Sequence, residues 1–159
     1  MKKILYIEFV LVGGLYLIFD QILKYIARSH PEASGYLWKT HIGWEYFQNP
    51  GIAFSIPFPN NLLILITPFV IIGLSLIVTS YRCKQSIRVC LKKRVSPHLL
   101  FGLLLIIFGA SSNLIDRILF GATIDYIRLY TAVINVADIM IITGVILLLL
   151  LPKATEKTK

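Results

Sequence analysis

The sequence predicts an all-α membrane protein in which four transmembrane helices carry a small strand-bearing lobe on the outer side, as one domain over residues 1–159. Three observations lead there. Hydrophobic residues make up 57% of the chain, beyond the range of an ordinary soluble domain. They gather into continuous runs rather than alternating, so helices and not barrel strands satisfy the backbone in lipid. The segment between the first two runs is aromatic, partly alternating and punctuated by Gly and Pro, as short strands and turns are.

The elements follow in order against the roughly 20 residues needed to cross ~30 Å of hydrocarbon. The first span, residues 4–20, follows Lys2 and Lys3 and closes at Asp20 and Gln21; no small-residue cleavage site comes after it, so it is expected to stay as an anchor rather than leave as a signal. The outer lobe, residues 29–61, alternates around Leu37 to Phe47, and Trp38, Trp44, Tyr46 and Phe47 taken singly read as interfacial anchors. The second span is residues 62–80. After it comes a basic loop with Cys83 and Cys90, where a reducing compartment argues against a disulfide. The third span, residues 98–116, reaches membrane length only by including Ser111, Ser112 and Asn113, so its outer end is polar. A short mixed loop, "RILFGATIDYIRLYTAV", leads to the fourth span, residues 134–151, which opens on Asn135 and Asp138, and the tail "KATEKTK" reads as a frayed end.

Charge sets the orientation. Lys2, Lys3, Arg82, Lys84, Arg88, Lys92, Lys93, Arg94, Lys153, Lys157 and Lys159 fall on one side, against Lys24, Arg28, Lys39, Arg117 and Arg128 on the other. The excess of Lys and Arg marks the cytoplasmic side, which puts both termini inside and two loops outside. The net charge of +8 then reads as topology and contact with anionic lipid, not as nucleic-acid binding.

Of the eight acidic residues, Asp20, Asp116, Asp125 and Asp138 lie at or near the outer ends of spans or in the loop between two of them. Acids at membrane depth are costly, which makes them candidates for function. Asn113 lies three residues before Asp116 and four before Arg117, and Asn135 three before Asp138, so each set shares a helix face. Asp116 beside Arg117 reads equally as an ion pair that fixes the helix. Asp20 with Lys24, one turn apart, reads as an orienting pair. On spacing alone Asp125, with Arg128 three residues on, is as much a surface pair as a chemical group. Asp138 has no basic residue within a turn and is the hardest to explain structurally.

Other chemistries find little support. His30, His41 and His98 are scattered, and neither H-E-x-x-H nor G-x-S-x-G occurs, so no metal is expected; Ser55 or Ser111 with Lys24 makes no recognisable dyad. Two neighbouring carboxyls sharing one proton would supply a base for water and an acid for a carbonyl oxygen, which is aspartic-protease chemistry.

At these residues the chain resembles signal peptidase II, the lipoprotein signal peptidase family of bacterial inner membranes. "DQILKY" resembles the family's D-Q-x-x-K, "NPGIAFS" its N-x-G-A-A-F-S, "GASSNLIDR" its G-G-A-x-G-N-x-x-D-R, "TIDYI" its V-V-D-F-I and "NVADIMI" its F-N-x-A-D-x-x-I. The resemblance implies an intramembrane aspartic endopeptidase that cuts diacylglyceryl-modified prolipoproteins before the lipidated cysteine and is inhibited by globomycin-type antibiotics. It implies Asp125 and Asp138 as the catalytic pair, and so moves the choice from Asp116 to Asp125. By the same carry-over, Asn49, Gly51, Asn113, Arg117 and Asn135 bind substrate or orient the pair, and Asp20, Lys24 and Asp116 support the site. The outer lobe would be a small β-cradle; no cofactor and no oligomer are required. Ile52, Phe108, Ser112 and Thr123 depart from the family pattern: Phe108 and Ser112 are expected to disturb close helix packing, and Ile52 to reshape the substrate pocket. Two readings from other classes remain, a small transporter or proton relay built on the same acids and a non-catalytic adaptor.

Overall fold

In the computed structural model, residues 3–38, 41–52, 56–87 and 97–150 are described. The basic loop from 88 to 96 with Cys90, residues 53–55 with Ser55, and the tail from 151 lie outside them, as do the side chains of 81–87 with Cys83. In chain order the elements are α1 (Lys3–Ser29), β1 (Gly35–Trp38), β2 (Ile42–Asn49), α2 (Asn60–Ile87), α3 (Pro97–Phe120), β3 (Thr123–Leu129), β4 (Ala132–Ile134) and α4 (Val136–Leu149).

Among the described residues α1, α2 and α3 are long and apolar enough to cross a membrane. Two of them outrun the predicted spans at their outer ends. Asp20 and Lys24 end the apolar run of α1 without ending the helix, because their side chains turn onto α3 and no Pro or Gly intervenes before Pro31. The α3 helix continues past Asp116 until Gly121, whose φ of +75° suits a residue without a side chain and whose N–H bonds back to Arg117 O at 3.1 Å. The fourth helix begins later than predicted. Ile134 belongs to β4, and Asn135 caps α4 by accepting the N–H of Asp138 on its side chain. With 14 residues, α4 rises about 21 Å, short of the hydrocarbon thickness.

Strands also form where none were predicted. The short loop after α3 folds as the β3–β4 hairpin and joins β1 and β2 in one antiparallel sheet of order β1-β2-β3-β4. The lobe therefore comes from both the α1–α2 and the α3–α4 connections. In the β2–β3 register Asn49 faces Thr123 and Phe47 faces Asp125, with an irregularity between Trp44 and Phe47. Residues two apart share a face, so Asn49, Thr123 and Asp125 lie on one side of the sheet. Ile124 and Tyr126 lie on the other, packed with Ala27 of α1 in a small core that includes Trp44 and Tyr46. Trp44 sits 5.1 Å from the Tyr126 ring, a core contact where an interfacial anchor was expected, whereas Trp38 is exposed.

A second core joins Val78 of α2 with Leu100, Leu103 and Leu104 of α3, against Tyr6, Phe9 and Val10 of α1. The outward faces remain apolar, with Leu11, Leu15, Phe19, Leu65, Phe69 and Leu76 exposed as lipid contact requires. Close packing survives at Phe108, contrary to expectation, because its ring fills the space beside Gly13. The α3–α4 crossing is tighter still. A Cβ on Gly109 would stand 2.6 Å from Ala137 O, and one on Gly144 2.6 Å from Gly102 O, so these backbones touch through small residues. Gly109→Ala is therefore expected to lower stability by about 1–3 kcal/mol in thermal unfolding, whereas Gly14→Ala, where nothing lies within 4 Å, should cause no loss.

Candidate active site

The C-terminal end of α1 delivers a charge into the protein. Lys24 is 2% exposed, and its ammonium has acceptors at 2.8 Å in Asp20 Oδ2, Asp116 Oδ2 and Asn113 Oδ1. Three protons meet three acceptors. Asp20 Oδ2 also accepts Ser112 Oγ at 2.6 Å, while Oδ1 accepts the Tyr126 hydroxyl at 2.8 Å and the Ala137 N–H at 3.2 Å. Asp116 accepts Gln21 Nε2 and the Ile124 N–H, both at 3.1 Å. The predicted Asp20–Lys24 pair is present. The Asp116–Arg117 pair is not among the ion pairs of the described residues: neighbours on a helix point apart, and Arg117 donates instead to Gly51 O at 2.7 Å and Asn60 Oδ1 at 3.3 Å.

From this cluster a chain of amides reaches the two remaining acids. Asn113 must turn its oxygen to Lys24, which can only donate, so its Nδ2 faces Asp138 Oδ1 at 2.9 Å. Asn135 turns its oxygen to the Asp138 N–H at 2.8 Å, which sends its Nδ2 to Asp125 Oδ1 at 2.6 Å. Asn49 accepts the Gly51 N–H at 3.0 Å and gives its Nδ2 to Asp125 Oδ2 at 2.9 Å. Each amide is thus oriented by a neighbour that has only a proton to offer. The Asn135 side chain touches both acids.

Asp125 is 0% exposed. Burial, then the charge of Asp138, push its carboxyl up from 3.8 to about 7, against the lowering effect of the Asn49 and Asn135 hydrogen bonds. It does not pair with Arg128, which bonds Glu45 at 2.7 Å; residues three apart on a strand face opposite sides. Burial, followed by the charge of Asp20, also raises the adjoining Tyr126 hydroxyl far above its usual range, so it stays a proton donor to Asp20. A cleft of about 200 Å³ between sheet and helices is lined by Asn49, Ile52, Asn113, Arg117, Thr123 and Asp138 among others. Asp125 lies enclosed behind it.

A sequence model of the family described as "Signal peptidase (SPase) II" matches residues 12–152. The chain belongs to the signal peptidase II family. A lipoprotein signal peptidase of Moorella thermoacetica is 34% identical over 154 residues, covering 93% of this chain and 96% of that protein. One of Syntrophus aciditrophicus is 32% identical over 176 residues, covering 99% and 100%. A solved "bacterial membrane enzyme structure" at 23% identity superposes with a TM-score of 0.73 over 89% of this chain and 85% of the other, which shows the same fold.

Within this signal peptidase II chain the structure gathers all ten site residues expected from the sequence, and it adds Gln21, Ser112 and Tyr126. Ser112 does not loosen the α1–α3 contact; its hydroxyl ties Asp20 and receives Gln21 Nε2 at 2.8 Å. The spacing of Ser112 four residues before Asp116 carried that signal. Nothing local marks Tyr126 as the partner of Asp20, 106 residues away.

Two outcomes follow from these charges. Lys24→Met leaves Asp20 and Asp116 buried without a cation and should cost about 3–5 kcal/mol in an unfolding assay. Asp125 holds its proton more tightly folded than unfolded, so its contribution is full below pH 3.8 and is lost as pH rises through about 7. Unfolding temperatures of the parent should therefore fall relative to Asp125→Asn between pH 5 and 8, and a constant offset would contradict the assignment.

Proposed function

We propose that Asp125 and Asp138 are the catalytic pair of an aspartic endopeptidase that removes signal peptides from diacylglyceryl-modified prolipoproteins, cutting before the lipidated cysteine. The observation that carries this is the Asn135 side chain, which bonds Asp125 Oδ1 and the Asp138 N–H at once and so holds the two acids in one unit. With burial, and then the charge of Asp138, raising the Asp125 carboxyl to about 7, the pair retains one proton near neutral pH. The ionised carboxyl takes a proton from water as the water attacks the scissile carbonyl carbon, and the protonated one gives its proton to the carbonyl oxygen. Asn49, Gly51, Asn113, Arg117 and Asn135 line or brace the cleft in which the peptide is held, while Asp20, Lys24 and Asp116 lock the helices behind it.

The substrate's acyl chains stay in the bilayer while its peptide reaches the cleft sideways. Both termini lie in the cytoplasm and the site at the extracytoplasmic face of the bacterial inner membrane. The excess of basic residues at 2–3, 82–94 and 153–159 of the sequence supports that orientation. Globomycin-type inhibitors would compete for the same cleft. A proton relay is not favoured: its acids would be distributed through the membrane depth, whereas these are knitted together by amides at one end of the helices.

Asp125→Asn and Asp138→Asn should each remain folded and inserted, with cleavage of a lipidated precursor down by about a thousandfold or more. Parental rates in either purified variant would sink the assignment.

A further inference from the structure

Thr123 opens β3, paired with Asn49 and two residues before Asp125, so it shares that acid's face of the sheet and lines the same cleft as Asp138. Its hydroxyl differs from the other polar groups there. Asn49, Asn113 and Arg117 each already donate at least one hydrogen bond to an acceptor within the protein. Thr123 is 2% exposed, and among the described residues its Oγ1 is the buried side-chain polar atom without a hydrogen-bond partner. A buried hydroxyl left unpaired is unfavourable compared with a methyl group of the same shape.

We infer that the Thr123 hydroxyl positions substrate, donating a hydrogen bond to a main-chain carbonyl of the peptide that lies extended in the cleft beside Asp125 and Asp138. The inference rests on the peptidase reading above. A peptide unwound at the membrane boundary loses its helical hydrogen bonds and meets little water, so its exposed carbonyls need donors from the enzyme. Asn49 has committed both of its amide protons, to Ile52 O and Asp125 Oδ2, whereas the Thr123 hydroxyl is unpaired among the described residues. The Thr123 Oγ1 is enclosed, and the residue lines the cleft. One staggered step of rotation about Cα–Cβ carries Oγ1 to the position held by Cγ2, and Cγ2 to that of the Cβ hydrogen, without moving the strand. The unpaired hydroxyl of the empty site thereby becomes a paired one in the complex, which turns a cost of the free enzyme into affinity for peptide.

The test compares the full-length parent with T123V and T123S in lipid, using a diacylglyceryl-modified prolipoprotein peptide as substrate. Valine keeps the shape without the hydroxyl; serine keeps the hydroxyl. T123V should raise KM about threefold to tenfold with kcat within about twofold, the size of one neutral hydrogen bond. T123S should retain the parental KM, and T123V should unfold no earlier than the parent. An unchanged KM in T123V overturns the role of Thr123 while leaving the peptidase reading intact. So does a KM rise shared by T123S together with a lowered unfolding temperature, which would mark a packing role. A parent that leaves the peptide uncut overturns both readings.

Discussion

The structure hangs on a buried ammonium. Lys24 is the cation bonded to Asp20 and Asp116, and its three 2.8 Å contacts consume its three protons. Through Asp20 it reaches Tyr126 of β3 and the start of α4; through Asp116, the backbone of Ile124; through Asn113, Asp138. One side chain of α1 therefore decides where α3, β3 and α4 meet. Burying three charges is expensive, and replacing such a cluster by apolar side chains often costs a protein little stability. What apolar packing lacks is direction. Leucines would hold α1 against α3 over a range of rotations and slides, whereas a saturated ammonium accepts one arrangement.

That direction is passed on through amides. An asparagine can present either end to a carboxyl, and the choice decides whether it donates or accepts. Here Lys24, the Asp138 N–H and the Gly51 N–H settle it for Asn113, Asn135 and Asn49 respectively, and all three then point NH₂ groups at the candidate acids. Supporting residues of this kind set the pair's geometry and protonation without reacting themselves. Asp125 feels opposed effects: the amides favour its charge, while burial and Asp138 oppose it more strongly. A carboxyl titrating near neutrality is the result, and general acid–base chemistry works best there.

The apolar body serves the same end. Between α3 and α4, glycines at 102, 109 and 144 let backbones touch. In lipid, where burial of leucine against leucine brings little gain over leucine against acyl chain, such contacts and interhelical hydrogen bonds carry the association. They also bring Asn113 on α3 within 2.9 Å of Asp138 on α4. Packing and chemistry are joined at that crossing.

The sequence by itself determined the membrane class, three of the helices, the pairing of Asp20 with Lys24 and the shared helix face of Asn113 with Asp116, whereas Asn135, expected on one helix face with Asp138, is the extended cap before that helix. These are local properties, set by the length of apolar runs and the period of the helix, and they are legible within a few residues. Asp125 was not legible in that way: Arg128 beside it offered an equally good partner, and only the likeness of "TIDYI" to a family motif singled it out. The tertiary structure decided the rest. It made a hairpin of the second loop because β3 had β2 to pair with, took Arg117 away from Asp116 and gave Arg128 to Glu45. It also brought Tyr126 to Asp20 and Asn49 to Asp125, across 106 and 76 residues of chain. Such contacts depend on which elements lie side by side, and no window of sequence around either partner contains the other.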